Sequence, residues 1–535
     1  MIGDIFSHLG YAVIGDPEYS SRIKGGINSF NIFISDADYT LSKSYDILMT
    51  FDAPNAQAYH LLLDSSGLII ANERHRAKID ALPHVKQFVT HEDKFDNIYF
   101  LGLLGHILQI DQQIIDDEIE SFFSEKPQII ESSEAIIHDM YQSEIDPAVR
   151  ALFQNTQITR VGASRGFKHG NAFIADGAVL WGLTFYSAYP MTPASSLLVD
   201  CGKYSSVTVL QPEDEIAVAN SVLGAHFAGA RAMCGTSGWG FALMSEALSF
   251  ADQAEIGGVF ILSSRAGPST GTPTFHEFAD IDFALNPTFW GIQQIVMAPA
   301  DPSDAFTLIQ HALNHADQFQ IPVIFLIDKQ FSESYISYAD DFPLVPVNRG
   351  KLITDDLRED TFARYTLTDD HISPRTIPWV KNGDFIATSY EHDTYGATSE
   401  DPHLKMEMTK KRFHKTESLF DTVRGYDILH PEAKKMLVTV GMTSMVAREF
   451  IMKNPEYGLI LLKYLKPFDV RIRDEIQHVE EFTVLEMNYG GQLSELFRRE
   501  VGHDFFAQRK LFTYGKYDLF PFTRESFDTI HEERK

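Results

Sequence analysis

From the N-terminus to about Arg150, short apolar runs typical of β-strands alternate with helical stretches. The strand-like runs include NSFNIFIS from Asn28, SYDILMTF from Ser44 and SGLIIANE from Ser66. This alternation predicts a parallel sheet covered by helices. We therefore expect an α/β domain over residues 1–155, whose last part, acidic and rich in serine, is a helical linker.

The remainder of the chain repeats the α/β pattern twice, with an irregular section between. From Gly170, helical GNAFIADGAVLWGL, strand-like SVTVLQ, helical EDEIAVANSVLGAHFAGA and strand-like GGVFILSS predict a doubly wound domain over 156–345. Residues 346–432 are rich in Asp, His, Thr and Pro and have weak periodicity, which predicts an irregular connector. The runs KMLVTVGM, YGLILLKYL and FTVLEMNY predict a smaller α/β domain over 433–535.

Composition narrows the classes of function. Lys and Arg total 45 against 74 Asp and Glu, and the net charge of −29 argues against a nucleic-acid binder. The longest apolar run, Ile98–Ile110, is shorter than the roughly 20 residues of a membrane span, so we expect a cytoplasmic protein that is not membrane-bound. The two cysteines, Cys201 and Cys234, cannot supply four thiolates, so any iron–sulfur cluster must lie on another chain.

The turn YPMTP holds a hydroxyl group between two prolines. Pro190 and Pro193 restrict the backbone around Thr192, and a rigid turn of this kind suits binding of a carboxylate. The alternative is a strand-to-helix turn in which Thr192 or Ser195 caps the helix.

Three further segments carry charged groups or glycines that suit a ligand site. The acidic run EDE starts a helix, where its carboxylates complement the helix dipole, and one of them is a candidate for acid–base chemistry. The glycines of TSGWG, from Thr236, permit close approach of a ligand. Arg265 follows a buried strand, where α/β folds bind ligands, and its guanidinium matches a carboxylate; an ordinary ion pair is the alternative.

These motifs, in this order and together with EMNYGGQL from Glu486 and GKYDLFPF from Gly515, resemble the α subunit of the 2-oxoacid:ferredoxin oxidoreductases. The resemblance implies oxidative decarboxylation of a 2-oxoacid to its acyl-CoA, with thiamine diphosphate as cofactor, CoA as cosubstrate and ferredoxin as acceptor. It also implies a partner β subunit that holds the Mg²⁺ and the 4Fe-4S cluster, in an αβ dimer or (αβ)₂ assembly. The domains would then be γ-type, pyrimidine-type thiamine-diphosphate-binding and transketolase-C-like.

The resemblance also implies roles for individual residues. Glu215 would hydrogen-bond the pyrimidine ring of the cofactor and help to remove the thiazolium proton. The substrate would be held by Tyr189, Thr192 and Arg265, and the cofactor contacted by Pro190, Gly238, Trp239 and Gly240. His392 and Asp393, in TSYEHDTYGATSEDP, would lie near the entrance or the CoA region, and no metal ligand is assigned to this chain.

The chain departs from the family pattern at several points. Trp239 stands where a small residue or proline is usual, Phe278 where glutamine is usual, and Ala266 where glycine is usual. The segment Ser20–Asp36 resembles the γ-type domain, but the chain begins within the helix that should follow a first strand and its Gly-rich turn. A shifted gene start, a shortened chain and a lost ligand site all explain this.

The sequence leaves the substrate and the activity partly open. We expect 2-oxoglutarate first, and pyruvate or a branched-chain 2-oxoacid second. A non-catalytic partner subunit of the same fold is an alternative, motivated by Trp239, Phe278 and the incomplete γ-type domain. A thiamine enzyme that uses no ferredoxin is another.

Overall fold

The structure is a computed structural model that describes residues 1–21, 26–91, 96–339, 341–358 and 362–530. Part of the segment predicted to resemble a γ-type domain, residues 22–25, lies outside the described residues. The chain divides into two compact units, which are described separately. The first comprises Met1–Phe167, Tyr335–Asp340 and Thr523–Glu525, and the second Lys168–Ser334, Asp341–Phe522 and Ser526–Lys535.

Strands and helices alternate along much of the chain. The strands are β1 Ala12–Glu18, β2 Ser29–Ser35, β3 Tyr45–Thr50, β4 Leu63–Asn72, β5 Val85–Val89, β6 Gly166–His169, β7 Phe185–Ser187, β8 Thr208–Leu210, β9 Ala232–Thr236, β10 Gly258–Ser264, β11 Ile295–Met297, β12 Pro322–Asp328, β13 Tyr335–Tyr338, β14 Tyr426–Leu429, β15 Lys435–Thr439, β16 Tyr457–Leu462, β17 Tyr464–Lys466, β18 Glu481–Glu486 and β19 Lys510–Gly515. The α-helices are α1 Ile2–His8, α2 Ala53–Tyr59, α3 Arg76–Ile79, α4 Asp96–Ile107, α5 Gln112–Phe122, α6 Pro127–Tyr141, α7 Pro147–Phe153, α8 Gly170–Leu180, α9 Ser195–Gly202, α10 Glu215–Phe227, α11 Gly238–Ala242, α12 Ser245–Ala254, α13 Ile281–Leu285, α14 Pro302–Phe319, α15 Lys329–Glu333, α16 Pro402–His414, α17 Thr443–Lys453, α18 Ile472–Glu475, α19 Gln492–Val501 and α20 His503–Phe506. Short 3₁₀ turns cover His60–Leu62, Glu73–His75, Leu419–Asp421 and Arg524–Phe527.

The first unit contains two sheets. Strands β3, β4 and β5 form the predicted parallel sheet, in which Ile47 pairs with Leu68 and Leu68 with Val85. The run that forms β2 was expected in that sheet but pairs antiparallel with β1 instead, Ala12 facing Ser35. The reason is the short connection from β1, since parallel strands need a crossover of a dozen or more residues.

Helices α4, α5 and α6 supply most of the apolar core of the first unit. Their buried residues meet those of α1 and β4 in one cluster, which includes Phe6, Leu68, Leu103, Ile115, Ile119 and Ile137. A smaller cluster lies under α2, where Ala53 and Ala56 pack on Ile69 and Ala71 of β4. The helix α6 falls in the segment that the sequence predicts to be a helical linker.

A seven-stranded sheet forms the centre of the second unit, with the order β17-β11-β12-β10-β9-β7-β8. All strands from β11 to β8 run parallel, and β17 joins the edge antiparallel. Every residue of β10 and β12 is buried, as expected for strands covered on both faces. Helices α8 and α14 pack closely because α8 has glycine at 177, where a Cβ atom would lie 2.6 Å from the carbonyl oxygen of Phe306.

A second sheet in this unit has the order β14-β16-β15-β18-β19 and is parallel except for β14. It is tied to the seven-stranded sheet by β17, which follows β16 in sequence, and by a backbone bond of 2.7 Å from the amide of Phe278 to the carbonyl of Met487. The quoted apolar runs form β8, β10, β15, β16, β17 and β18, and the mixed α/β class is confirmed.

The segment between the two sheets is anchored by buried charges. Its described residues from 341 to 401 form no helix or strand, and α16 follows. Asp317 of α14 pairs with Arg231 at 3.0 Å, and with Arg349 and Arg375 of this segment at 2.7 and 2.6 Å. Paired carboxylates of this kind fix an irregular segment without a regular hydrogen-bonding pattern. The predicted domain boundaries stay a prediction.

A second group of buried ion pairs joins α16 and the residue after it to the end of α12. Glu255, fully buried after α12, pairs with Lys411 at 2.5 Å and Lys415 at 2.7 Å. Burial lowers the pKa of Lys411 to about 7, although the Glu255 carboxylate acts to raise it. Among the described residues, no helix is long and apolar enough to cross a membrane.

Candidate active site

The predicted site residues lie where four neighbouring parallel strands end. The strands β10, β9, β7 and β8 are adjacent in the sheet, and each is followed by one of the predicted segments. Because the carboxyl ends of parallel strands meet at one edge, segments that are far apart in sequence come together there. The order along this edge is Arg265, the TSGWG loop, the YPMTP turn and Glu215.

Glu215 is the first residue of α10 and is only 4% exposed. The helix is capped by its neighbour Asp214, whose carboxylate accepts a hydrogen bond of 2.8 Å from the amide of Ala217. Glu215 is therefore not needed as a cap. Its Oε1 is buried without a hydrogen-bond partner among the described residues, which leaves an acceptor free for a ligand.

Two more unpaired polar atoms are buried in the loop after β9. The hydroxyl oxygens of Thr236 and Ser237, at the end of β9, also have no hydrogen-bond partner within the described part of the chain. Gly240 packs against Glu215 and Thr236: a Cβ atom there would lie 2.5 Å from Oε1 of Glu215 and closer still to the hydroxyl of Thr236. Buried groups of this kind are normally paired, so Glu215 and Thr236 are candidates for contact with a ligand.

The glycines and the tryptophan of the TSGWG loop differ in their exposure to solvent. Gly238 and Gly240 face inward, and a Cβ atom at Gly238 would lie 2.8 Å from Oδ1 of Asp280. Trp239, between them, is 54% exposed. About half of its side chain is therefore accessible at the surface.

The YPMTP turn is held in place by hydrogen bonds from helix α8. Asn171, fully buried on α8, donates hydrogen bonds to the carbonyl of Pro193 at 3.0 Å and to the hydroxyl of Ser196 at 2.8 Å. Tyr189 and Pro190 are exposed, and Thr192 is half-buried. The turn thus holds Thr192 firmly and leaves its outer residues on the rim.

Arg265 is brought directly to this turn. Its Nη1 donates a hydrogen bond of 2.6 Å to the carbonyl oxygen of Thr192, although the two residues are 73 positions apart. The loop beyond Arg265 folds back, and Glu277 accepts a hydrogen bond of 3.1 Å from the amide of Gly267. Burial raises the pKa of Glu277 above the ordinary range of a carboxyl.

His392 and Asp393 make contacts within the connector. The buried ring of His392 accepts or donates through Nδ1 to the carbonyl of Tyr390 at 3.0 Å and packs on Tyr365, with ring centroids 4.0 Å apart. Burial lowers the pKa of His392. Asp393 accepts from the amides of Tyr395 and Ala397. The hydrogen bonds described for these two residues do not reach the strand-end site, and their assigned roles stay predictions.

Sequence reasoning missed three groups of this site. Thr236 and Ser237 belong to a quoted motif but gave no signal beyond their type. Asp280 ends the stretch HEFAD and carries no local pattern that links it to Gly238, 42 positions earlier. Phe278, noted as a departure from the family, is buried and bonds to the C-terminal sheet, where its carbonyl accepts from Asn488 at 3.2 Å.

Comparison with known proteins tests the resemblance. Residues 176–411 match the family model described as pyruvate flavodoxin/ferredoxin oxidoreductase, thiamine diphosphate-binding. Residues 1–143 match the model described as pyruvate ferredoxin/flavodoxin oxidoreductase. The sheet with its strand-end site is therefore a thiamine-diphosphate-binding domain, and the protein is an α/β enzyme of that class.

Individual relatives narrow the class further. The chain is 29% identical to subunit alpha of 2-oxoacid:ferredoxin oxidoreductase 2 from Aeropyrum pernix, over 92% of this chain and 88% of the relative. It is 24% identical to the 2-oxoglutarate oxidoreductase subunit KorA of Mycobacterium tuberculosis, over 93% and 84%. A solved 2-oxoglutarate:ferredoxin oxidoreductase from Magnetococcus marinus, with 2-oxoglutarate, coenzyme A and succinyl-CoA bound, superposes with a TM-score of 0.86 at 26% identity, over 99% of this chain and 96% of that one. The chain belongs to the 2-oxoacid:ferredoxin oxidoreductase family, as an α subunit, and the predicted resemblance is confirmed.

Proposed function

We propose that this chain oxidises 2-oxoglutarate, in a CoA-dependent reaction that passes electrons to ferredoxin through a partner β subunit. The names of the relatives support a 2-oxoacid as substrate, and the KorA relative and the Magnetococcus marinus enzyme favour 2-oxoglutarate. The observation that carries the proposal is the buried Oε1 of Glu215, which has no partner in the described chain and stands beside Gly240.

The residues at the strand ends fit thiamine diphosphate. A buried acceptor on Glu215 and the free hydroxyls of Thr236 and Ser237 offer hydrogen-bonding positions for a ring with polar nitrogen atoms. Gly240 keeps the backbone close to them without a side chain. When bound, thiamine diphosphate supplies the electron sink for decarboxylation. Pro190, Gly238 and Trp239 are proposed as further cofactor contacts.

Glu215 is the proposed acid–base group. Its carboxylate is fixed by the start of α10, because Asp214 performs the capping and leaves Glu215 free to face inward. A buried carboxyl group can hold a proton at Oε1 and donate it to a ring nitrogen, or accept one from it. Proton transfer by a positioned side chain typically contributes about 10²- to 10⁴-fold to a rate.

Thr192 and Arg265 are the proposed carboxylate-binding residues, with Tyr189 on the rim. The bond from Arg265 to the Thr192 carbonyl uses Nη1 and fixes the plane of the guanidinium. A guanidinium that is held in place binds a carboxylate with little further loss of side-chain entropy. The hydroxyl of the half-buried Thr192 stands on the same turn.

The iron–sulfur cluster and Mg²⁺ are assigned to the β subunit. Cys201 and Cys234 are buried, and burial raises the pKa of both thiols, that of Cys201 to about 12. Thiols of this kind are poor ligands for iron. The surface around the site is apolar and exposed, at Tyr189, Ile216, Trp239 and Leu243. Such a patch supports a subunit interface here, in an αβ dimer or (αβ)₂ assembly.

The test is an assay of the complex with a matched pair of variants. The chain is purified with its genomic neighbour under anoxic conditions, and CoA-dependent viologen reduction is measured with 2-oxoglutarate, pyruvate and 2-oxoisovalerate. We expect reduction with 2-oxoglutarate, a loss of about 10²-fold or more in Glu215→Gln, and none in Glu213→Gln, which removes an exposed carboxylate from the same run. Preference for another substrate contradicts the specificity. No reduction by a complex that contains its cofactors contradicts the activity.

A further inference from the structure

Asp280 stands at a helix start but does not act as its cap. It precedes α13, and its side chain makes no capping hydrogen bond to that helix. By contrast, Asp52, Asp214, Asp301 and Asp401 occupy the same position on other helices, and each accepts from the first turn. The carboxylate of Asp280 is therefore directed elsewhere.

It is directed to the strand-end site. Its two oxygens lie 2.8 and 3.0 Å from the position of a Cβ atom on Gly238, so the carboxylate packs on the backbone after β9. The hydroxyl of Ser264, the last residue of β10, hydrogen-bonds to the carboxylate and accepts from the amide of Ala279 at 3.2 Å. Asp280 thus joins the loop that carries Gly238 to the end of β10, which Arg265 follows.

Its charged neighbours are few and of both signs. Glu277 lies on the same loop and opposes ionisation of Asp280, whereas Arg265 favours it. On the side of α11, the Asp280 carboxylate faces the backbone of Gly238. Burial is the largest influence and raises the pKa of Asp280 above the ordinary range of an aspartate, with Glu277 acting in the same direction.

We propose that Asp280 is the pH-sensitive residue of the carboxylate-binding site and takes up a proton from solvent when the carboxylate of a 2-oxoacid binds at Arg265. The inference rests on the proposed function of Arg265. A substrate carboxylate on Arg265 places a second negative charge near Asp280 and removes part of the influence that favours its ionised form. Binding of the anion and protonation of Asp280 then support each other.

We expect the affinity for the 2-oxoacid to fall as pH rises. At a pH below the pKa of Asp280 in the free protein, the side chain is neutral in both states and binding is strongest. As pH rises through the pKa of the free state, binding must draw a proton from solvent, and affinity falls. Above the pKa of the bound state affinity levels off, weaker by roughly tenfold, the size expected for like charges in a partly buried site.

The experiment uses the complex with its β subunit, prepared without thiamine diphosphate so that bound substrate does not react. Binding of 2-oxoglutarate and of pyruvate is measured by calorimetry between about pH 5 and pH 9, a range that spans a raised carboxyl pKa. Two buffers with different ionisation enthalpies give the number of protons taken up. The matched variants are Asp280→Asn and Asp282→Asn, since Asp282 is exposed on the same helix.

We expect proton uptake in the wild-type complex and in Asp282→Asn, and none in Asp280→Asn, whose affinity should stay at the strong level at every pH. In the assay with cofactors, Asp280→Asn should change the KM and its pH profile more than kcat. Wild-type binding without proton uptake, or an unchanged profile in Asp280→Asn, overturns the inference and leaves the proposed function standing. If the wild-type complex binds neither 2-oxoacid, the inference is overturned, whereas the proposed function is decided separately by viologen reduction in the complex with its cofactors.

Discussion

Gly240 offers a sharp test of the site, because its replacement by alanine adds a single methyl group at the centre. Gly240 lies in α11, and its φ angle is not in the left-handed region, so the backbone accepts alanine. The new Cβ atom would lie 2.5 Å from Oε1 and 2.8 Å from Cγ of Glu215. The Thr236 hydroxyl is on its other side, and all three residues are buried.

The magnitude follows from these distances. An ordinary contact of a Cβ atom is at least 3.4 Å, so the Glu215 carboxylate must move by about 1 Å. Overpacking of this kind costs about 1–3 kcal/mol, and the gain from alanine in a helix offsets about 1 kcal/mol of it. We expect a small loss of stability. A displacement of about 1 Å in a reacting group can reduce turnover by about 10²-fold, which is the larger effect.

The assay compares Gly240→Ala with Gly224→Ala. Gly224 is exposed in the neighbouring helix α10, and a Cβ atom there meets nothing within 4 Å. Turnover is measured by viologen reduction, affinity for thiamine diphosphate by calorimetry and stability by thermal unfolding. We expect Gly240→Ala to lose turnover and affinity, and Gly224→Ala to retain both and gain up to about 1 kcal/mol of stability. Wild-type turnover and affinity in Gly240→Ala would refute the assignment of the site.

Three further changes test other parts of the structure. Asp317→Asn leaves buried arginines without their carboxylate and should cost about 3–5 kcal/mol in thermal unfolding, whereas Asp369→Asn, an exposed connector residue, should cost almost nothing. Burial alone would raise the pKa of Glu391, but hydrogen bonds led by the one from Arg412 lower it to about 2. The contribution of Glu391 to the free energy of unfolding is therefore lost as pH falls from the ordinary carboxyl range towards 2. Glu391→Gln should flatten that part of the pH–stability curve. Trp239→Ala removes an exposed side chain and should leave unfolding of this chain within about 0.5 kcal/mol of wild type while it weakens association with the β subunit, measured by gel filtration.

The sequence predicts β10 well because a strand that is buried on both faces is a continuous apolar run. The run GGVFILSS becomes β10, with every strand residue buried, and Arg265 follows at its carboxyl end as expected. The YPMTP turn and the TSGWG loop also follow strands. Local patterns are sufficient for these elements, since each depends on its own residues and on the class of fold.

The sequence does not predict which side chains meet across the strand ends. The bond between Arg265 and the Thr192 carbonyl spans 73 positions, and the contact of Asp280 with Gly238 depends on a loop that returns after β10. The aspartate before α13 resembles a helix cap by type and position, since seven other described helices are capped by an aspartate, and its different orientation is decided by packing. The antiparallel pairing of β2 was missed for a similar reason, because connection length outweighs the strand pattern.

Three polar atoms of the candidate site are buried without a hydrogen-bond partner among the described residues. A buried acceptor or hydroxyl that has no partner costs about 1–3 kcal/mol, and Glu215, Thr236 and Ser237 each carry one such atom within the described residues. A fold tolerates such groups when a ligand completes the hydrogen bonds, and in the proposed assembly the β subunit would cover the exposed apolar residues around them. Cofactor and partner should therefore stabilise this unit together, and each should bind more tightly in the presence of the other. The cofactor would pair the buried polar atoms, and the partner would cover the exposed apolar side chains around them.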